Sequence, residues 1–174
     1  MIMDIYKRMQ KHLSEFYVEK ISVNNLERYE ECFYCNIDYY MITDGQPATK
    51  EICVDTIEYC PDNFPTKNIY NIGISQAGKS VCTLFLLYGY PEETTIYIGL
   101  LLVNEQFKRQ GVGTKVIKAL FKCFSNTTIK RFSLSVQDNN ICGCKFWQSL
   151  GFKVVDKTLC DEFVNLSMQY DYDS

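Results

Sequence analysis

At 174 residues, with a formal net charge of −3, 47% hydrophobic and 22% charged residues, the chain has the make-up of one globular domain large enough for a real core. No run approaches the roughly 20 apolar residues of a membrane helix, and the negative balance without a basic-aromatic platform argues against nucleic-acid binding. Nine cysteines, an odd number without a signal-peptide pattern, point to reduced thiols in a cytoplasmic setting, and one histidine leaves no histidine-centred catalytic set.

Taken in chain order, the first element is a helix over 3–14, with Ile5, Met9 and Leu13 on one face and Lys7, Arg8 and Lys11 opposite. A strand over 16–22 follows. The apolar repeat Leu26, Tyr29, Phe33, Ile37, Tyr40 predicts a helix over 24–41, and a further helix spans 48–59. Proline at 47, 61 and 65 interrupts this helical region. Cys32 and Cys35 have the spacing of half a zinc site, but four ligands are needed and no second pair stands at fitting spacing, so no metal is expected. Strands are predicted over 68–75 and 79–87, joined by a hairpin at Gln76-Ala77-Gly78-Lys79. The next strand, 94–103, is apolar on both faces, as a central strand covered on both sides should be.

The stretch after that strand carries the most chemistry. Lys108-Arg109-Gln110-Gly111-Val112-Gly113-Thr114 is a short basic glycine loop, and apolar residues then recur at helical spacing through Val116, Ile117, Leu120, Phe121 and Phe124, giving a helix over 111–124. Glycines let the backbone approach a ligand closely. The free N–H groups of a first helical turn point outward beside the positive end of its dipole, which makes a pyrophosphate cradle. Lys108, Arg109 and Lys115 flank it. A dinucleotide fold would want a third glycine and an acid on the next strand, and a nucleotide-triphosphate loop would want Gly-Lys-Ser/Thr; neither is present. A strand over 129–136, a helix over 140–150 ending at Gly151, and strands over 152–156 and 162–170 complete the chain, giving a mixed α/β sheet with helices on both faces.

With both segments in view, the chain resembles the GNAT superfamily of N-acetyltransferases. The phosphate motif of that family, Gln/Arg-x-x-Gly-x-Gly/Ala, is matched by Lys108-Arg109-Gln110-Gly111-Val112-Gly113. Its second motif, Asn-x-x-Ala/Gly-x-x-Phe-Tyr/Trp-x-x-x-Gly-Phe, is matched by Asn140 to Phe152. The wider pattern, including Asp38-Tyr39-Tyr40 and Gly89-Tyr90-Pro91-Glu92-Glu93, is similar to small bacterial members. The resemblance implies one acyl-CoA N-acyltransferase domain over 1–174: an N-terminal helix (1–15), acceptor-side helices (16–65), an acetyl-CoA-binding core (66–156) and a C-terminal strand (157–174). It implies acetyl-CoA as co-substrate and a small-molecule or peptide amine as acceptor, and it leaves a homodimer open.

It also distributes roles. The pantetheine arm would lie along Leu101 and Val103, with a backbone N–H near Leu101 or Leu102, taken as that of Leu102, facing the thioester oxygen. The pyrophosphate would sit on Lys108 to Thr114; Asn140, Gly143, Phe146 and Trp147 would line the cofactor. Glu92, Glu93 and Tyr97 form the region expected to supply the base, and Asp38, Tyr39 and Tyr40 would roof the acceptor pocket. Two positions depart from the family. Lys108 keeps a positive charge but lacks the planar fork of arginine. Trp147 stands where many members hold a catalytic tyrosine, and an indole N–H is no general acid near neutral pH. The absent tyrosine supports the alternative of an acyl-CoA-binding sensor without turnover.

Charge is distributed unevenly. Residues 27–62 hold nine acids against Arg28 and Lys50, whereas residues 107–131 hold seven bases and no acid. A basic segment suits a polyanionic cofactor, and an acidic one suits a cationic amine.

Overall fold

The computed structural model describes residues 4–172; the outer ends of the predicted N-terminal helical segment and C-terminal strand, residues 1–3 and 173–174, lie outside the described residues. Helix α1 (Ile5–His12) is capped by Asp4, whose carboxylate accepts from the Lys7 N–H. It buries Ile5 and Met9, and Arg8 donates to the Cys123 carbonyl at 2.7 Å, tying it to the helix that follows the glycine loop. Strand β1 (Tyr17–Lys20) precedes three short helices, α2 (Glu30–Tyr34), α3 (Ile37–Thr43) and α4 (Lys50–Glu58). Strands β2 (Ile69–Gln76) and β3 (Lys79–Tyr88) form the predicted hairpin. Its two turn residues, Ala77 and Gly78, both have positive φ, as a tight hairpin turn between twisted strands requires. Then come β4 (Thr95–Val103), α5 (Val112–Phe124), β5 (Arg131–Gln137), α6 (Ile141–Ser149), β6 (Lys153–Leu159) and β7 (Val164–Asp171).

The strands make one seven-stranded sheet in the order β1-β2-β3-β4-β5-β7-β6. Only β4 and β5 run parallel; the other neighbours are antiparallel. One face packs on α1, α5 and α6 through Ile72, Leu84, Ile96, Ile98, Leu120 and Phe132. The other packs on α2, α3 and α4 through Leu26, Tyr29, Phe33, Tyr40, Ile57 and Leu102. The helix α5 buries Val112, Val116, Ile117, Ala119, Leu120, Cys123 and Phe124, the face its apolar periodicity marks.

One predicted element is divided. The helix expected over 24–41 is a short 3₁₀ turn at Leu26–Arg28, then α2, then α3. The break falls at Asn36, which is buried, and whose side-chain amide donates to the Cys32 carbonyl at 2.7 Å and to the Val103 carbonyl at 3.0 Å. A helix running straight through would carry this amide away from β4; the bond across to the sheet holds the two short helices at their angle.

Candidate active site

The site begins at β4. Opposite β3, the register shifts between Phe85 and Leu86, so that Gly99 is the extra residue of a β-bulge. A side chain at Gly99 would stand 2.5 Å from the Phe85 ring, which explains the glycine. Opposite β5, β4 pairs only through Thr95↔Arg131, Ile96↔Phe132 and Tyr97↔Ser133. Beyond Tyr97 the two parallel strands diverge, and the β5-facing edge of β4 is left open.

Which backbone groups face that opening follows from the ladder. The Asn104 N–H donates to the Val81 carbonyl on β3 at 2.9 Å. In an antiparallel pair, alternate residues direct both their N–H and C=O toward the partner. Leu102 therefore points its backbone at Thr83 in β3, and Leu101 and Val103 point theirs away, into the opening. This corrects the expectation that the Leu102 N–H meets the thioester oxygen: that N–H belongs to the β3 ladder, and Leu101 presents the free one. The Val103 carbonyl already accepts from Asn36.

The chain then turns at Asn104, which is buried and whose side-chain oxygen accepts from the Gln106 N–H. In the glycine loop, Arg109 (φ 60°) and Gly111 (φ 77°) are both left-handed. This alternation turns successive N–H groups toward one side, the geometry of an anion-binding nest. Within the described residues, no N–H from Arg109 to Thr114 makes a hydrogen bond; the first helical bond of α5 is from Lys115 to Gly111. The side chains are arranged differently from the backbone. Lys108 is paired with Glu105 at 2.6 Å, Gln110 bonds back to the Gln106 carbonyl, and Lys115 is paired with Glu15 rather than flanking the loop. Val112 is buried under the loop, and the Thr114 side chain is half-buried beside it.

The second motif meets the first through Phe146. A Cβ on Gly113 would lie 3.2 Å from the Phe146 ring and 3.5 Å from Val103, so Gly113 is small because α6 closes against it there. Asn140 caps α6, accepting from the Gly143 N–H at 2.9 Å, and Gly143 leaves room for that cap. Trp147 is only 9% exposed and packs edge-on to Phe146 and Phe152 in the core; the aromatic that reaches the loop is Phe146.

The acceptor-side residues fare unequally. Tyr97 holds the last paired position of β4, on the α2–α4 face, with its ring edge-on to Tyr90 at 5.5 Å. Tyr39 packs edge-on to Tyr40 and beside that face; burial, with Asp44 and Tyr97 nearby, pushes its phenol up to about 12, so it stays protonated near neutral pH. Tyr40 is a core residue, and Asp38 lies exposed on α3. Glu92 and Glu93 are separated from Leu101. They precede Thr95, where β4 is still paired to β5, and five residues including the bulge at Gly99, about 17–20 Å of strand, lie between Thr95 and Leu101. Glu92 is instead 3.5 Å from Arg131, which also reaches Asp171. Of the three residues in the expected base region, Tyr97 stands on the strand where the opening starts, and Glu92 and Glu93 lie exposed in the turn before it. Burial raises the Cys32 thiol to about 12 and also raises that of Cys35, whose sulfur accepts from the Glu105 N–H, so neither is a ready thiolate. All nine cysteines are unpaired. Sequence reasoning missed Asn36 and Ser133, the second because a serine in an alternating strand carries no signal of its neighbour across the sheet.

A glycine-rich nest at a helix start, opening directly off a central strand that parts from its parallel neighbour, defines a class. The model of the Acetyltransferase (GNAT) family matches residues 51–152, more than half of the chain. The chain belongs to this family. Solved structures agree in fold at low identity. An acetyltransferase from Thermus thermophilus is 18% identical over 90% of this chain and 96% of its own, with a TM-score of 0.72. The PaiA N-acetyltransferase from Thermoplasma acidophilum, in complex with coenzyme A, is 17% identical over 90% and 99%, with a TM-score of 0.64. The ribosomal-protein-S18-alanine N-acetyltransferase from Escherichia coli is 13% identical over 91% and 95%, with a TM-score of 0.63. No curated protein matches the sequence significantly. Among the described residues, no helix is long and apolar enough to cross a membrane.

Proposed function

We propose that this chain is a single-domain, acetyl-CoA-dependent N-acetyltransferase acting by direct attack of a primary amine. The observation that carries the reading is the open edge of β4 at Leu101 and Val103 beside the unbonded N–H groups of Arg109 to Thr114. An amide chain ending in a pyrophosphate fits that order of parts: amides on the strand edge, phosphates on the nest. Acetyl-CoA supplies the thioester; the acetyl carbon–sulfur bond breaks, the carbon–nitrogen bond forms, and the amine proton leaves with the thiol or to water.

The residues take the following roles. The Leu101 N–H meets the charge that grows on the acyl oxygen. Arg109, Gln110, Gly111, Val112, Gly113 and Thr114 hold the pyrophosphate through backbone, with the positive end of α5 behind them. Phe146 walls the arm against Gly113, and Asn140 and Gly143 fix the start of α6 at that wall. The amine enters over Tyr97 from the α2–α4 face. A reducing compartment such as the cytoplasm suits nine unpaired thiols.

The test is release of free thiol from acetyl-CoA with a panel of primary amines, alongside calorimetry of CoA binding. Amine-dependent thiol release with acetylated amine as product is expected. CoA binding without turnover on any amine would overturn the enzyme reading in favour of an acyl-CoA sensor.

A further inference from the structure

On the α2–α4 face, the apolar cluster under these helices takes its strand residues, Leu100 and Leu102, from β4. Among the described residues it takes none from β5, β7 or β6. The register of β5 with β7 pairs Ser133↔Gln169, Ser135↔Ser167 and Gln137↔Asn165. Directly opposed residues share a face, and the alternate residues Phe132, Leu134, Val136 and Met168 are buried on the α5 side. Three rungs of uncharged serine, asparagine and glutamine side chains therefore lie together on the acceptor side.

This array starts at the active site. Ser133 is the partner of Tyr97, the last pair before β4 and β5 part. Ser135 and Gln137 continue along β5 beside the opening itself. These six side chains are uncharged; the charges of this face stand around them, Arg131 and Asp171 on the next rung of β5 and β7, and Lys153 and Asp156 on β6 beside Gln169 and Ser167. Two of its polar atoms are also unlike solvated ones. Ser133 is 7% exposed and its Oγ has no hydrogen-bond partner in the protein, and the Gln137 Oε1 is buried without one. Buried polar atoms in proteins are nearly always paired, so those left unpaired next to a reaction centre mark a place for a ligand.

Resting on the acetyltransferase reading above, we infer that the acceptor is a hydroxyl-rich amine of the amino-sugar type, whose hydroxyl groups are read by the serine–asparagine–glutamine rungs of β5 and β7. The array is two adjacent strands wide and five residues long, roughly 5 by 14 Å between its outer Cα positions, the footprint of a mono- or disaccharide. Serine and the two amides both donate and accept, as a run of sugar hydroxyls requires. The half-buried ring of Tyr97 at the head of the array offers an apolar face for the sugar ring.

The experiment measures kcat/KM, corrected for each amine's neutral fraction, with glucosamine, cyclohexylamine, a linear diamine and a tripeptide with a free N-terminus. Glucosamine is expected to exceed cyclohexylamine by about tenfold or more, the discrimination supplied by one or two hydrogen bonds at about 1 kcal/mol each. The double variant Ser135→Ala/Ser167→Ala should bring that ratio toward one through KM for the sugar, while CoA affinity and the unfolding midpoint stay near those of the parent. Equal rates on glucosamine and cyclohexylamine, preference for the diamine or the peptide, or an unchanged ratio in the double variant would overturn the inference and leave the acetyltransferase reading standing. CoA binding with no turnover on any of the four would overturn both.

Discussion

The two halves of the site are built from different materials. The cofactor side is made of backbone: the open edge of β4, the nest at Arg109 and Gly111, and the start of α5. The proposed acceptor side draws on side chains from separate segments: Tyr39 from α3, Tyr97 from β4, Ser133 from β5 and Gln169 from β7. Backbone geometry needs glycines at fixed spacing and tolerates variation elsewhere, so a single chain can show it plainly. A side-chain pocket can be made many ways and leaves no fixed spacing. On the proposed function, the donor is held by backbone that a motif marks in the sequence, and the acceptor by side chains that no motif marks.

The comparison can be broken first at the loop. Gly111→Asp forces a residue with a Cβ into a left-handed conformation and adds a negative charge at the nest. Like-charge repulsion of about 1 kcal/mol from each of the two pyrophosphate charges should weaken CoA binding roughly tenfold or more, and the left-handed strain of about 1–2 kcal/mol should lower folding stability. Calorimetry on folded protein measures it; an unchanged affinity would remove the loop from the cofactor site.

Asn36→Leu probes the joint between the halves. It leaves the carbonyls of Cys32 and Val103 without their donor. The expected loss is about 2 kcal/mol of folding stability, from stranding two part-buried carbonyls, visible as a lower denaturant midpoint. CoA affinity should fall far less than in Gly111→Asp, because the Leu101 edge and the loop remain.

Trp147→Phe should keep turnover within roughly tenfold, about 1.4 kcal/mol of barrier, because the ring is a core member packed against Phe152. Loss of chemistry at full CoA affinity would instead give the indole N–H a direct role. The smallest effect is expected from Glu92→Gln with Glu93→Gln. These precede Thr95, about 17–20 Å of strand from Leu101, and the one ion pair lost, to Arg131, is exposed and worth about 0–1 kcal/mol. The pH–rate profile should match the parent's; a depressed rate recovering at high pH would return them to the mechanism.

How much of this was legible in the sequence follows the same division. The order of strands and helices from Ile69 onward could be read from alternation and helical periodicity, because each of those elements buries one clear face. The bulge at Gly99 was readable from a lone glycine in an apolar strand. The break at Asn36 was not, because the apolar repeat runs through it and the cause is a hydrogen bond to a carbonyl 67 residues away. The places of Glu92 and Leu102 differ from those expected for a related reason. Nearness in sequence to β4 does not say at which end the strand opens, nor which edge an N–H faces. Both depend on the pairing register with β3 and β5.

The central claim is that one stretch of backbone, from Leu101 through Thr114, receives the cofactor. An amide-resolved NMR titration of the protein with CoA tests it directly. The account predicts the largest shifts at the N–H groups of Leu101 and of Arg109 to Thr114, with Leu102 moving little because its N–H stays in the β3 ladder. Shifts confined elsewhere, for example to the groove of Tyr17, Glu19 and Arg28 on the far edge of the sheet, with the loop amides unmoved at saturation, would contradict it.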